Sequence, residues 1–477
     1  MRLFLIWAAP YSQMKQLIGT LKENGHEIPY WVGLYEDGKA PDLKGTIFHD
    51  HYDAWVCEPA RGVDPSEFPP PGKELIEKMY KVESLVLTMM NKKFDTLCVD
   101  ERRHIYYNML RYWNGLLEKY KPEAVIFPAT PHTVYNYVIY GLAKILGIKT
   151  VMFDDTWVSN RILMYKDWME GSRELKEEIK KNENKNFSLN DLSQDLKEYY
   201  EQYSGKKTDA EPAYMKHYRN TISGKKNYFF KKIKIASASL KDRTFFSKMS
   251  RFVFKQFTIN LKKEYESVQR VPDFSQKFIY VALGFQPEMV TSPLGDMYAD
   301  QILMIETLSA SLPKGWVIYV KEHPGQWWLR VGTNYSSARY SGYYKRIRNI
   351  NNVRVVPIDT NTFSLIRQSQ AVAVVTGTPG WEALLRSKPA LIFGYSWYRD
   401  CPGVFRINGF ESCRKALEKI SSGFIVGQQQ IINYLKSFGD ASILAYLESV
   451  PIREVEISKK ESKENIAKAI LSEITRS

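Results

Sequence analysis

Three short polar motifs, each directly after an apolar run, carry the residue types best suited to chemistry. The first is Lys321-Glu322-His323-Pro324-Gly325, which follows the apolar residues 316–320. A histidine at the carboxyl end of a strand, held by a following proline, can donate a hydrogen bond to a phosphate or a carboxylate, and Lys321 adds positive charge beside it. The motif predicts a contact with an anionic substrate; the alternative is a solvated turn.

The second motif runs from Thr376 through Gly377, Thr378 and Gly380 to Glu382, again after an apolar run. A glycine-rich turn leaves backbone N–H groups unpaired, and a helix that begins there offers an N-terminal anion site. Glu382 lies about one turn into this helix, where it could accept hydrogen bonds from a ribose or sugar diol. The alternative is a plain strand-to-helix turn.

The third motif is Gln286-Pro287-Glu288, after the apolar residues 278–283. A carboxylate in this loop could serve as the general base for an attacking hydroxyl group, or as a nucleophile. We predict a catalytic role for Glu288 together with His323. The alternative is an ordinary solvated glutamate on a surface loop.

The first part of the chain offers a second set of polar residues after predicted strands. His132 follows residues 124–127, and Asp154 and Asp155 follow residues 150–153. We expect them to line the acceptor side of the same cleft; the alternatives are a buried, satisfied histidine and a helix cap. The two aspartates lack the D-x-D spacing of a metal site, and no metal site is predicted. His49 and His51 are interpreted as part of a surface loop.

The order of apolar runs and helical patterns predicts the elements that position these motifs. Strand and helix signals alternate in the first and last parts of the chain, which is typical of parallel sheets. We predict an α/β protein with two Rossmann-like domains and a helical insertion between them. The predicted boundaries are 1–165, 166–275, 276–435 and a helical end, 436–477. Ligands of such sheets bind at the carboxyl ends of the strands, so the motifs should face one interdomain cleft.

Charge is concentrated in one segment. The net charge is +14, and residues 214–270 alone hold fifteen Lys or Arg against three Asp or Glu, with interleaved phenylalanines. This segment is a candidate for contact with an anionic membrane surface; the alternatives are an acidic glycan and a solvated helical pair. Because the excess is confined to one segment, nucleic-acid binding is not expected.

Location and membrane contact are read from two further features. Four cysteines without paired spacing indicate a reducing, cytoplasmic location. The sequence has no run of about 18 apolar residues, so we predict no membrane-spanning helix. We therefore expect a cytoplasmic protein, with a peripheral position on the membrane as the further option.

The motifs together resemble the capsule polysaccharide biosynthesis family, which includes Kdo transferases. The likeness rests on Gln286-Pro287-Glu288, on Lys321-Glu322-His323-Pro324, and on residues 377–382 with Lys388-Pro389. It implies a GT-B fold, a nucleotide-sugar donor such as CMP-Kdo or a UDP-sugar, and no other cofactor. It also implies that His323 and the turn 377–382 hold the nucleotide and phosphate of the donor. We further predict that Gln286, Lys321 and Thr376 bind the donor. Kdo transferases usually carry an aspartate in a Gln-x-x-x-Asp-Ser loop, and this chain instead has Glu288 two residues after Gln286.

Three functions are compatible with these residues. The leading prediction is a metal-independent glycosyltransferase that moves a sugar from a nucleotide sugar to a saccharide or lipid-linked acceptor, building a capsule or lipopolysaccharide. The alternatives are a sugar-nucleotide 2-epimerase and a non-catalytic, membrane-associated assembly factor.

Overall fold

The computed structural model describes residues 1–206, 260–326, 339–447 and 457–476. Within these residues the chain forms two β-sheets, each flanked by helices. Apolar runs become buried strands, as in β1 (Arg2–Ile6), where residues 3–6 are at most 2% exposed. The predicted α/β class, with two parallel-dominant sheets, is confirmed.

The first sheet has the spatial order β13-β6-β5-β4-β1-β2-β3 in the described part of the chain. Strands β1 to β5 pair in parallel, whereas β6 pairs antiparallel with both β5 and β13. The remaining strands are β2 (Glu27–Gly33), β3 (Ile47–Asp50), β4 (Ala124–Ile126), β5 (Lys149–Asp155), β6 (Arg161–Tyr165) and β13 (Ile443–Leu444). The α-helices among residues 1–206 are α1 (Tyr11–Glu23), α2 (His51–Trp55), α3 (Lys73–Lys78), α4 (Tyr80–Met89), α5 (Val99–Tyr120), α6 (Val134–Ile145), α7 (Arg173–Lys181) and α8 (Gln194–Glu201).

The second sheet is parallel throughout its described strands, in the order β12-β11-β10-β7-β8-β9. Its strands are β7 (Phe278–Ala282), β8 (Val317–Lys321), β9 (Val353–Val355), β10 (Ala371–Val374), β11 (Ala390–Ile392) and β12 (Val404–Arg406). The later helices are α9 (Leu261–Val268), α10 (Gln301–Ser311), α11 (Tyr343–Asn349), α12 (Thr362–Gln368), α13 (Thr378–Leu384), α14 (Phe410–Ser421), α15 (Gln428–Ala441) and α16 (Lys459–Thr475).

The end of the chain returns to the first sheet. Strand β13 pairs with β6, and α16 packs on α1, where Ile466 and Ile470 share a core with Leu17 and Leu21. The sequence predicted only helices here, because a two-residue strand carries no periodic signal of its own. The domain boundaries drawn from the sequence stay predictions.

Short 3-10 helices adjoin regular helices at two places. The 3-10 helix Met90–Lys92 follows α3 and α4, and the 3-10 helix Asp296–Ala299 precedes α10. Most of the basic segment 214–270 lies outside the described residues. Among the helices that the structure describes, none is long and apolar enough to cross a membrane.

Candidate active site

Three of the predicted loops meet at the carboxyl edge of the second sheet. They follow β10, β7 and β8, which are neighbours in the sheet. The Gln326 side chain joins two of them, since it accepts from the Gln286 backbone N–H (3.0 Å) and donates to the Gln286 carbonyl (2.7 Å). The Thr376 hydroxyl donates to the Val290 carbonyl at 2.8 Å and joins the third. The predicted donor loops therefore form one connected surface.

A buried ion pair fixes two of these loops from behind. The Arg339 guanidinium donates to both Glu322 oxygens at 2.9 and 3.1 Å, and both side chains are 0% exposed. It also donates to the Gln286 side-chain oxygen and the Gly284 carbonyl, while the Tyr344 hydroxyl donates to Glu322 at 2.7 Å. Burial alone would lower the pKa of Arg339, but the adjacent Glu322 carboxylate raises it. The pair holds the loops after β7 and β8 in one arrangement.

Sequence reasoning missed Arg339 entirely. The residue belongs to no motif, and its partner Glu322 was regarded only as a neighbour of His323. A basic residue 17 positions from an acid gives no local sign that the two side chains pair in the core.

His323 and Lys321 have different environments. The His323 Nδ1 accepts a hydrogen bond from the Gly325 backbone N–H at 3.1 Å, so the neutral ring carries its proton on Nε2 and can donate there. Lys321 is 6% exposed, and its ammonium donates to the Thr360 carbonyl and the Thr362 hydroxyl. Burial lowers the pKa of Lys321 to about 8. Lys321 thus stabilises the loop after β9 through these two hydrogen bonds.

The glycine turn after β10 is built by close packing. A Cβ on Gly380 would lie 2.4 Å from the Tyr398 hydroxyl oxygen, and that hydroxyl donates to the Gly377 carbonyl at 2.6 Å. Thr378 is exposed, whereas Glu382 is only 9% exposed and interacts electrostatically with Tyr199 of α8. Gly380 is therefore needed for packing, and the donor roles of this turn stay predictions.

The two domains meet at Glu288. Its carboxylate pairs with the Lys92 ammonium at 2.9 Å, with the lysine side chain 9% and the glutamate side chain 26% exposed. His132 is close enough to both groups for their charges to affect it: its pKa is lowered to about 4, mainly by burial and also by Lys92, while Glu288 acts in the opposite direction. The His132 Nδ1–H donates to the Thr130 carbonyl at 2.8 Å, which leaves Nε2 as the acceptor of the neutral ring.

This cluster brings together Glu288, for which the sequence predicted a catalytic role, and His132, which it placed on the acceptor side. Glu288 comes from the loop after β7 and His132 from the loop after β4. Lys92 was missed, because the end of a charged helix gives no indication of a partner 196 residues away. We call Lys92, His132 and Glu288 the interdomain cluster.

Asp154 and Asp155 belong to β5 itself, which runs two residues further than predicted. Asp154 is 6% exposed and accepts from the Tyr165 hydroxyl at 3.0 Å; burial raises its pKa to about 7. Asp155 accepts from the Trp157 backbone N–H at 3.2 Å in the turn to β6. Their contacts serve the β5–β6 hairpin, and an acceptor-side role stays a prediction.

The interpretation of His49 and His51 as a surface loop is wrong. His49 is 1% exposed and lies between the Tyr30 hydroxyl (2.7 Å) and the Glu58 carbonyl (2.9 Å), while His51 Nδ1 contacts the Tyr135 hydroxyl at 2.7 Å. Burial lowers the pKa of both to about 4. In the described ranges, no group of three or more His, Cys, Asp or Glu is placed to hold a metal ion.

Comparison with known proteins supports the resemblance drawn from the motifs. Residues 290–422 match the family described as capsule polysaccharide biosynthesis protein. This range contains His323 and the turn 376–382 but begins just after Glu288. The resemblance is confirmed over the matched residues. No curated protein matches the sequence.

Several solved structures align with nearly the whole chain at low identity. KpsC of Thermosulfurimonas dismutans, a beta Kdo 2,7 transferase, is 11% identical over 84% of this chain and 97% of its own, with a TM-score of 0.30. The UDP-GlcNAc 2-epimerase of Neisseria meningitidis is 10% identical over 100% of both chains, with a TM-score of 0.25. These scores are too low for the matches to carry a functional argument.

Proposed function

We propose that this chain is a glycosyltransferase that moves a sugar from a nucleotide-sugar donor onto a growing bacterial surface polysaccharide. The observation that carries the proposal is the interdomain cluster, where Glu288 and His132, from different domains, meet around Lys92. Chemistry at a domain junction suits transfer between two substrates, because each domain can hold one of them. The family match, to proteins of capsule polysaccharide biosynthesis, supports the polymer class.

In the proposed net reaction, one bond to the anomeric carbon forms, another bond to it breaks, and one proton is transferred. The acceptor hydroxyl oxygen forms a bond to the anomeric carbon, the bond from that carbon to the donor phosphate oxygen breaks, and the phosphate leaves with the electron pair. In a single displacement, Glu288 takes the hydroxyl proton as the acceptor oxygen attacks. In a double displacement, Glu288 first attacks the anomeric carbon as the phosphate leaves; the acceptor oxygen then displaces the Glu288 carboxylate, and the released phosphate takes the hydroxyl proton. The first route inverts the anomeric configuration and the second retains it, so the product distinguishes them.

The donor phosphate would lie against the loops of the second domain. His323 supports this proposal because its neutral ring donates from Nε2. The Arg339–Glu322 pair supports it indirectly, since fixed loops hold hydrogen-bond donors in place before charge develops. The proposal also includes a reaction without a metal ion and a cytoplasmic location. The four cysteines are free thiols in the structure, which supports a reducing compartment.

A ligand screen followed by product analysis tests the proposal. CMP-, UDP-, GDP- and dTDP-sugars are added separately to the purified chain, and one nucleotide class should raise the unfolding temperature by mass action. That donor is then incubated with the chain, with and without membranes containing acceptor. Transfer only when acceptor is present supports the proposal. A new sugar nucleotide formed without acceptor identifies an epimerase, and no stabilisation by any nucleotide sugar contradicts both enzymes.

A further inference from the structure

An exposed aromatic surface adjoins the interdomain cluster at the carboxyl edge of the first sheet. Tyr52 is 55% exposed, and Trp55, one turn further along α2, is partly exposed. The Lys93 ammonium lies 5.9 Å from the Tyr52 ring centroid and 5.5 Å from that of Trp55. Asp53, between the two aromatic residues, interacts electrostatically with Lys93. We call Tyr52, Asp53, Trp55 and Lys93 the Tyr52 surface.

The composition of this surface matches one kind of ligand. Pyranose rings present C–H groups on one face, which pack on aromatic rings, and hydroxyl groups around the rim, which hydrogen-bond to charged side chains. The Tyr52 surface offers two aromatic rings that are at least partly exposed for the first, and an ammonium and a carboxylate for the second. One cation balanced by one anion does not suit a nucleic-acid backbone, which requires excess positive charge.

His51 connects this surface to the proposed reaction centre. Its ring centroid lies 5.2 Å from that of Tyr52 and 5.4 Å from that of Trp55. The same ring is close enough to His132 and Lys92 for their charges to affect it. A saccharide bound on the Tyr52 surface would therefore extend toward Glu288.

We infer that the Tyr52 surface is a saccharide subsite that holds a sugar ring of the acceptor, next to the ring that receives the new sugar. This inference rests on the proposed function only where it identifies the bound sugar as part of the acceptor. The binding of a sugar ring itself can be measured without any donor. Tyr52 and Trp55 would stack against the ring, and Lys93 and Asp53 would bind its hydroxyl groups.

Saturation-transfer NMR on the full chain tests the subsite. The probes are methyl glycosides of glucose, galactose, N-acetylglucosamine, N-acetylgalactosamine and glucuronic acid, at millimolar concentration. At least one should receive saturation, strongest on the C–H protons of one ring face. Tyr52→Ala should weaken its binding about tenfold, Tyr52→Phe should keep it, and Tyr80→Ala should leave it unchanged. Tyr80 is a matched control because it is 58% exposed.

The outcomes separate the subsite from the proposed reaction. Absence of saturation for every glycoside, or full binding by Tyr52→Ala, overturns the subsite and leaves glycosyl transfer unaffected. Loss of binding in Tyr52→Ala, with binding kept in Tyr52→Phe and Tyr80→Ala, supports the subsite. This holds even if no nucleotide sugar stabilises the chain.

Discussion

The carboxyl edges of the two sheets are built in opposite ways. At the second sheet, Arg339, Glu322 and Gln286 bond to one another in the core. At the first sheet, Tyr52 and Lys93 remain at least partly open to solvent. A buried polar network fixes geometry before a ligand arrives, whereas an open aromatic surface leaves its contacts to the ligand. Under the proposed function, the second sheet would present a preorganised donor side, and the first sheet an acceptor side that accommodates chain-like substrates.

Breaking the buried ion pair should have the largest effect on stability. Arg339→Met leaves the Glu322 carboxylate buried without its cation, which should lower the free energy of unfolding by about 3–5 kcal/mol. Urea unfolding followed by circular dichroism measures it. The control is Arg414→Met, whose ion pairs to Glu411 and Glu418 are exposed, and it should change little. Equal losses in the two variants would show that the network does not fix the second edge.

Among the residues that the structure describes, the ion pairs Lys92–Glu288 and Lys81–Asp296 join the domains, and they should differ in strength. A double-mutant cycle with Lys92→Met and Glu288→Gln should give a coupling energy of about 1–2 kcal/mol, because the Lys92 side chain is 9% exposed. The same cycle on Lys81 and Asp296 should give less than about 0.5 kcal/mol, since the Lys81 side chain is 65% exposed. Similar coupling energies would contradict a special role for the Lys92–Glu288 contact.

The buried aspartate of β5 should make stability depend on pH. The pKa of Asp154 is about 7 in the folded chain and about 3.9 when unfolded, so between these values the folded chain holds an extra proton. Its contribution to stability therefore falls as pH rises, by about 1.4 kcal/mol per pH unit. Asp154→Asn should remove this slope between pH 4.5 and 6.5 in urea unfolding, and Asp42→Asn, at an exposed site, should keep it. A wild-type slope in Asp154→Asn would contradict this account.

Local patterns in the sequence predicted the elements but not their long-range partners. The apolar runs at 3–7, 124–127 and 278–283 correspond to β1, β4 and β7, because a buried parallel strand is a continuous apolar run. The loops that follow them could be located for the same reason. By contrast, β13 depends on pairing with β6, where Ile443 lies opposite Ile162, 281 residues away, and no local pattern encodes such a pairing.

The candidate site shows the same division. Glu288, His132 and His323 were found because each follows a strand. Lys92 and Arg339 were missed because their importance lies in the acids they pair with, across 196 and 17 residues. His49 was misjudged since its burial depends on Tyr30 and Glu58, which its own neighbours in sequence do not reveal.

The most direct test of the central claim is the effect of Glu288→Gln on transfer from the donor that stabilises the chain. The account predicts that turnover falls about a thousandfold while the dissociation constant of the donor is unchanged, because the carboxylate acts on the reacting atoms and not on the nucleotide. Glu306→Gln, on the exposed side of α10, should transfer normally. Wild-type turnover in Glu288→Gln would contradict the claim that the reaction takes place at the interdomain cluster.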